Sequence, residues 1–182
     1  MQTLHYALVA YVRNEVGEFV EGLRQELHPE FVHLPAHVTV LPPRCLQGNE
    51  TGALDQIARA CSEAVPFEVA LGDVETFVPT TPTVFIRVAR AGYRLRELHL
   101  RLNRDVLHAV EQWPYMPHLT IAKMSNADQA REAFQMARDR WTSYEGPRRI
   151  SIEELTFVRE GPNNTWVDLA PVPLGSTLVR RS

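Results

Sequence analysis

Pro35-Ala36-His37-Val38-Thr39-Val40-Leu41 returns in kind as Pro117-His118-Leu119-Thr120-Ile121-Ala122-Lys123, so the chain carries one histidine and threonine cassette twice. Each copy is a short apolar run entered through a proline, the composition of a β-strand. Side chains alternate faces along a strand, which sets His37 with Thr39 on one side and His118 with Thr120 likewise, while Val38, Val40, Leu119 and Ile121 turn to the other. Each strand thereby offers an imidazole and a hydroxyl together. A His-x-Thr triplet is a weak motif by itself. Its weight comes from register: Pro66 and Pro147 each follow their histidine by 29 residues, and Phe77-Val78 and Phe157-Val158 begin 40 and 39 residues after theirs. A diverged internal duplication accounts for this.

Working outward, the run at 4–12 reads as a strand, and Asn14 caps a helix whose Val16, Phe19, Val20, Leu23 and Leu27 fall at helical spacing before His28-Pro29 ends it. After the His37 strand, Gln47-Gly48-Asn49 is a turn, and Leu54, Ile57, Ala58, Cys61 and Val65 line a second helix closed by Pro66. Strands at about 67–76 and 83–89 follow. The second half repeats the order: a helix striped by Leu95, Leu98, Leu102 and Val106, the His118 strand, a helix from Asn126 to about Trp141 with Gln129 completing a capping box, and strands near 149–158 and 165–170. This mixture predicts an α+β fold, a bilobal pseudo-twofold duplication of two largely antiparallel sheets with helices on the outside and a central cleft. The expected organisation is one domain over 1–170, with repeats at 1–89 and 90–170 forming two similar lobes, and a peripheral C-terminal tail at 171–182.

Composition narrows the function. With 182 residues and 45% hydrophobic content the chain can bury a sizeable core. The opening apolar run is short, lacks a basic leader and is interrupted by His5, so no signal peptide or membrane span is expected, and the protein reads as soluble and cytoplasmic. Cys45 and Cys61 lack paired spacing, which argues against a disulfide scaffold or zinc knuckle and for reduced, structural thiols. A formal charge of −3 disfavours an extended nucleic-acid surface and suits a small or terminal phosphate substrate.

Cleaving or closing a phosphodiester through a neighbouring hydroxyl needs one group to take a proton and another to give one. Imidazole, with an ordinary pKa of about 6.5, does either near neutral pH. The threonine hydroxyls can donate to non-bridging phosphate oxygens as charge redistributes. The scheme calls for no metal and no cofactor, since two histidines without nearby carboxylates or thiols make a poor zinc site.

The two quoted stretches resemble the His-x-Thr-x elements of the 2H phosphoesterases, specifically the 2′-5′ RNA ligase and cyclic phosphodiesterase-like branch, with the duplicated spacing covering residues 1–170. The resemblance implies a bilobal fold with His37 and His118 catalytic and Thr39 and Thr120 binding substrate in a shared cleft. It implies metal-independent action on 2′,3′- or 1″,2″-cyclic nucleotide phosphates, on 2′-5′ linkages or on RNA termini. Many relatives have an arginine shortly after the second element; here Lys123 stands there, a point charge without the bidentate fork. Arg44 after the first element and Arg159 after Phe157-Val158 are further candidate substrate cations, and Tyr115, Phe77, Phe85 and Phe157 candidate stacking surfaces.

Each of these has a plainer reading. A lone strand histidine is more often structural, and only repetition in register favours function. Threonine is common in strands, Lys123 and Arg44 are as easily solvated charges, and large rings usually belong to cores. His5, His28, His33, His99 and His108 show no partner pattern and read as structural or exposed. Against the enzyme stand a non-catalytic RNA-end or nucleotide sensor, which would tolerate loss of one imidazole, and an adaptor in which the duplication serves packing. The natural substrate, the direction of reaction, the acid and base roles and the oligomeric state are not written in the sequence.

Overall fold

Asparagines set where three of the helices begin. Asn14, Asn49 and Asn126 each offer a side-chain oxygen to the backbone N–H three residues on, at 2.8 Å for Gly52 and 2.9 Å for Gln129. The computed structural model describes residues 4–28 and 34–175. Among them run β1 (Tyr6–Tyr11), α1 (Glu15–Leu27), β2 (His37–Arg44), α2 (Glu50–Ser62), β3 (Phe67–Thr76), β4 (Thr83–Arg90), α3 (Gly92–Leu102), β5 (His118–Lys123), α4 (Ala127–Thr142), β6 (Arg149–Ile152), β7 (Glu154–Glu160) and β8 (Trp166–Pro173). His33 lies outside the described residues.

The α+β architecture is as the sequence implied, and all the strand pairs are antiparallel. The two expected sheets, however, are joined in one, in the order β6-β3-β4-β5-β2-β1-β7-β8. The join is the β2–β5 seam, where among the described residues Val38 opposite Leu119 is the registered pair. Pairing there removes what would otherwise be two free sheet edges side by side. The seam divides the sheet into a first lobe, β6-β3-β4-β5, and a second, β2-β1-β7-β8.

The repeats 1–89 and 90–170 therefore do not each close into a lobe. β4 leads through α3 into its neighbour β5, and β1 through α1 into its neighbour β2, so each lobe draws strands from both halves. The helices cross as well, α1 packing on β5 and α3 on β2. The single strand expected near 149–158 breaks at Glu153, with β6 pairing β3 in the first lobe and β7 pairing β1 in the second. Nor is the segment from Pro171 peripheral: Pro171 pairs Thr156, Val172 pairs Leu155, Leu174 is buried, and the Gly175 N–H donates to Cys61 O. Residues 176–182 lie outside the described residues.

One apolar core fills the space between the sheet and the helices, joining Leu8, Val38, Ile86, Leu119 and Ile150 of the strands to Val20, Ile57, Leu98 and Ala137 of the helices. Cys61 belongs to it, and burial pushes its thiol up to about 12; Cys45 is exposed and both are free. The opposite face of the sheet is open. No described helix is long and apolar enough to cross a membrane.

Candidate functional site

The two cassette strands bury their residues in one pattern. From the histidine onward each reads half-buried, buried, half-buried, buried, buried: His37-Val38-Thr39-Val40-Leu41 on β2, His118-Leu119-Thr120-Ile121-Ala122 on β5. The closing pair of buried residues breaks strict alternation, and the ladders show why. Thr39 pairs Val9 while Leu41 pairs the adjoining Leu8, leaving Val40 as an extra residue; Thr120 pairs Phe85 while Ala122 pairs the adjoining Val84, leaving Ile121 as another. A β-bulge thus follows each threonine, a device that re-aims side chains and is common beside active sites.

With Val38 opposite Leu119 and both in the core, the antiparallel geometry sends His37, Thr39, His118 and Thr120 to the open face together, the two histidines diagonal to one another across the seam. The bulge after Thr120 returns Lys123 to that same face, opposite Thr83. In the first cassette the same step from the histidine is Pro42.

Both imidazoles are held alike. His37 Nδ1 lies 2.7 Å from Pro35 O, and His118 Nδ1 lies 2.7 Å from Met116 O. A carbonyl only accepts, so in each ring Nδ1 carries the proton and donates it, which leaves Nε2 as the atom that can take or give a proton on the open face. Desolvation lowers the pKa of both rings; for His37 the charges of Arg24, Lys123 and His118 lower it further, and for His118 that of Lys123 does. Each ring also meets aromatics edge-on, Tyr11 at 6.4 Å from His37, and Phe77 and Phe85 at 5.2 and 5.1 Å from His118. Among the described residues no group of three His, Cys, Asp or Glu side chains gathers as a metal cluster.

The bulges are gripped from the core side by Arg24 and His99, which the sequence reading did not assign to the site, and by Tyr115, which it offered as a stacking surface. Arg24 of α1, 5% exposed, donates through Nη2 to Thr120 O and through Nε to Ile121 O, both at 2.8 Å, and through Nη1 to Leu34 O. On the other strand the Tyr115 hydroxyl donates to Thr39 O at 2.9 Å, and His99 Nδ1 donates to Val40 O at 2.7 Å. His99 stacks flat on Tyr115 with ring centres 4.1 Å apart, and its Nε2 lies 3.0 Å from Glu111. Arg24 and His99 showed no local motif; only long-range geometry pairs them with the cassettes.

Arg44 does not join the histidines. A further irregularity between Leu41 and Arg44 sets it opposite Tyr6 on the core face, where it is 4% exposed and donates to Pro42 O, Asn103 Oδ1, Leu107 O and Glu111. Arg159 likewise stands opposite Tyr6 and donates to Glu50. Of the candidate stacking rings, Phe77 and Phe85 adjoin His118, Tyr115 is committed to His99, and Phe157 is buried in the core against Tyr6. On the histidine side of the second lobe Ala7, Val9 and Val158 instead form a small buried apolar cluster, with Tyr11 and Trp166 packed against it.

Comparison with known proteins agrees with this fold. A family model described as the 2′-5′ RNA ligase superfamily matches residues 12–164. A protein of Halalkalibacterium halodurans, provisionally named a phosphoesterase, is 21% identical over 94% of this chain and 98% of its own length. One of Oceanobacillus iheyensis with the same kind of name is 23% identical over 66% of this chain and 71% of its own. Among solved structures, Escherichia coli LigT in complex with NADP+ superposes with a TM-score of 0.64 at 14% identity, covering 97% of this chain and all of that one. LigT is also known in complex with 3′-AMP and with ATP. The Usb1 protein of Kluyveromyces marxianus superposes with a TM-score of 0.55 at 13% identity, over 94% of this chain and 98% of its own. At these identities the structural likeness is one of fold.

Proposed function

The chain belongs to the 2′-5′ RNA ligase superfamily, and from that premise we propose that it is a phosphodiesterase that opens a cyclic nucleotide phosphate or acts at an RNA end with its two histidines as general base and general acid. The observation that carries this reading is the matched anchoring of the imidazoles: both give Nδ1 to a carbonyl two residues back, so both present Nε2 on one face beside a threonine. In hydrolysis of a 2′,3′-cyclic phosphate, one neutral Nε2 takes a proton from water as the oxygen attacks phosphorus. The bond to one ribose oxygen breaks, and the other ring, protonated at Nε2, gives that oxygen its proton. The product is a nucleoside monophosphate with both rings ready to exchange their protons with solvent.

Thr39 and Thr120 are the proposed donors to the non-bridging oxygens, and Lys123 the proposed cation for the same phosphate. Burial, and the positive charge of Lys123, oppose protonation of both rings, so each is biased toward the neutral form that can act as base. With a ribose 5′-hydroxyl in place of water, the same exchange of protons, with attack on the cyclic phosphorus and release of the 3′ oxygen, forms a 2′-5′ linkage. The nucleotide complexes of LigT support a nucleotide-type ligand.

Hydrolysis of 2′,3′-cyclic mononucleotides and of short cyclic-ended RNA, with and without chelator, tests the proposal. Wild type turns over in chelator, and His37→Ala and His118→Ala each lower kcat by about 10²- to 10⁴-fold. Loss of turnover on chelation overturns the metal-free scheme, and tight nucleotide binding without turnover by the wild type makes the protein a sensor instead.

A further inference from the structure

The seam between β2 and β5 opens to either side of Val38 and Leu119. Strands that part leave carbonyls without ladder partners, and such groups are costly to bury unpaired. The carbonyls at risk here belong to the bulges: Thr39 and Val40 on β2, Thr120 and Ile121 on β5. All four are taken by side-chain donors, and the donors come from a consistent place. Arg24 lies in the segment between β1 and β2 that delivers His37, and it holds the bulge behind His118. His99 and Tyr115 lie in the segment between β4 and β5 that delivers His118, and they hold the bulge behind His37.

We propose that Arg24 on one side, and the stacked His99 and Tyr115 on the other, are positioning residues that aim the hydroxyls of Thr120 and Thr39 across the seam. The ladder is interrupted immediately after each threonine, at Val40 and at Ile121, so on that side the direction of each threonine depends on what grips its own carbonyl and the next one. Arg24 does so with a rigid fork, two nitrogens on two successive carbonyls. The other grip is built from two separate side chains, a phenol and an imidazole, stacked face to face and backed by Glu111, which Arg44 holds in turn. The two cassettes thus have the same reacting groups on different mounts. Misplacing a phosphate donor by about 1 Å is enough to cost up to about a hundredfold in rate, so the grips act on turnover far more than on affinity.

The proposal rests on the phosphodiester chemistry above, and the experiment keeps the two apart. Tyr115→Phe removes one hydroxyl and leaves the ring on His99; Arg24→Lys keeps the charge but loses the fork. Each lowers kcat on a 2′,3′-cyclic nucleotide by about tenfold with KM little changed. Tyr6→Phe, which removes a hydroxyl bonded to Glu50 on the helix side of the sheet, leaves kcat unaltered. The deciding measurement is made in two backgrounds: the effect of Tyr115→Phe disappears in Thr39→Val and persists in Thr120→Val, and that of Arg24→Lys does the reverse. Equal losses in both backgrounds, or no loss in wild type, overturn the proposal. If the wild type hydrolyses no cyclic phosphate, the reaction is misassigned, and inorganic phosphate titrated against the histidine ring signals takes its place. The same crossed pattern in phosphate affinity then sustains the positioning role, and its absence ends it.

Discussion

The two cassettes agree in their histidine and threonine and differ in nearly everything that surrounds those two side chains. Both give an imidazole anchored through Nδ1, a threonine two residues on, and a bulge immediately after. Around His118 stand Phe77 and Phe85, with Lys123 returned to the open face; beside His37 stands Tyr11, and the sequence position corresponding to Lys123 holds Pro42. The supports differ while the four polar side chains match, which is what the proposed joint action of those four would require.

The most direct way to break the comparison, after the histidine replacements, is through the threonines. Thr39→Val and Thr120→Val each remove one hydroxyl from a strand that tolerates valine well, and each is expected to lower kcat by about a hundredfold. A large loss from one and none from the other, in steady-state hydrolysis, would show that the cassettes have parted in function as well as in setting. Lys123→Met removes the cation that has no counterpart in the first cassette and should lower kcat/KM by about tenfold, with a smaller loss at high salt.

The pH profile sharpens the same contrast. Both rings have lowered pKa values, so the neutral base persists to lower pH and the protonated acid is lost at lower pH; both limbs of the kcat/KM bell then lie on the acid side of the ordinary value of about 6.5. Because Lys123 lowers both rings, Lys123→Met moves both limbs toward higher pH, and an unmoved profile would mean its charge does not reach them. The smallest effect belongs to Arg159→Met. Its pair with Glu50 is about a third exposed, so its removal costs no more than about 1 kcal/mol, read as a Tm change of at most about 4 °C, with kcat/KM unaltered.

How much of this the chain disclosed depends on distance along it. Helix starts at Asn14 and Asn126 and the paired cassettes are local patterns, readable because capping and alternation act over a few residues. The bulges left a trace too, in the apolar doublets Val40-Leu41 and Ile121-Ala122, which strict alternation forbids and which a reading by simple period passes over. Arg44 was misplaced for the same reason, since irregular pairing after Leu41 carries it to the core face. Arg24 and His99 have no local sign at all. Their meaning lies in contacts 96 and 59 residues away, to Thr120 and Val40.

The crossing of α1 onto β5 and of α3 onto β2 has a consequence for the molecule as a physical object. Although the sequence is written as two tandem copies, neither copy encloses a core by itself: each lends its first helix to a sheet whose seam strand the other supplies. Cut at the junction of the copies, the polypeptide would yield two incomplete pieces with exposed apolar faces, able to acquire shape only in each other's company. The repeat lies in the sequence, while the unit that folds is the whole.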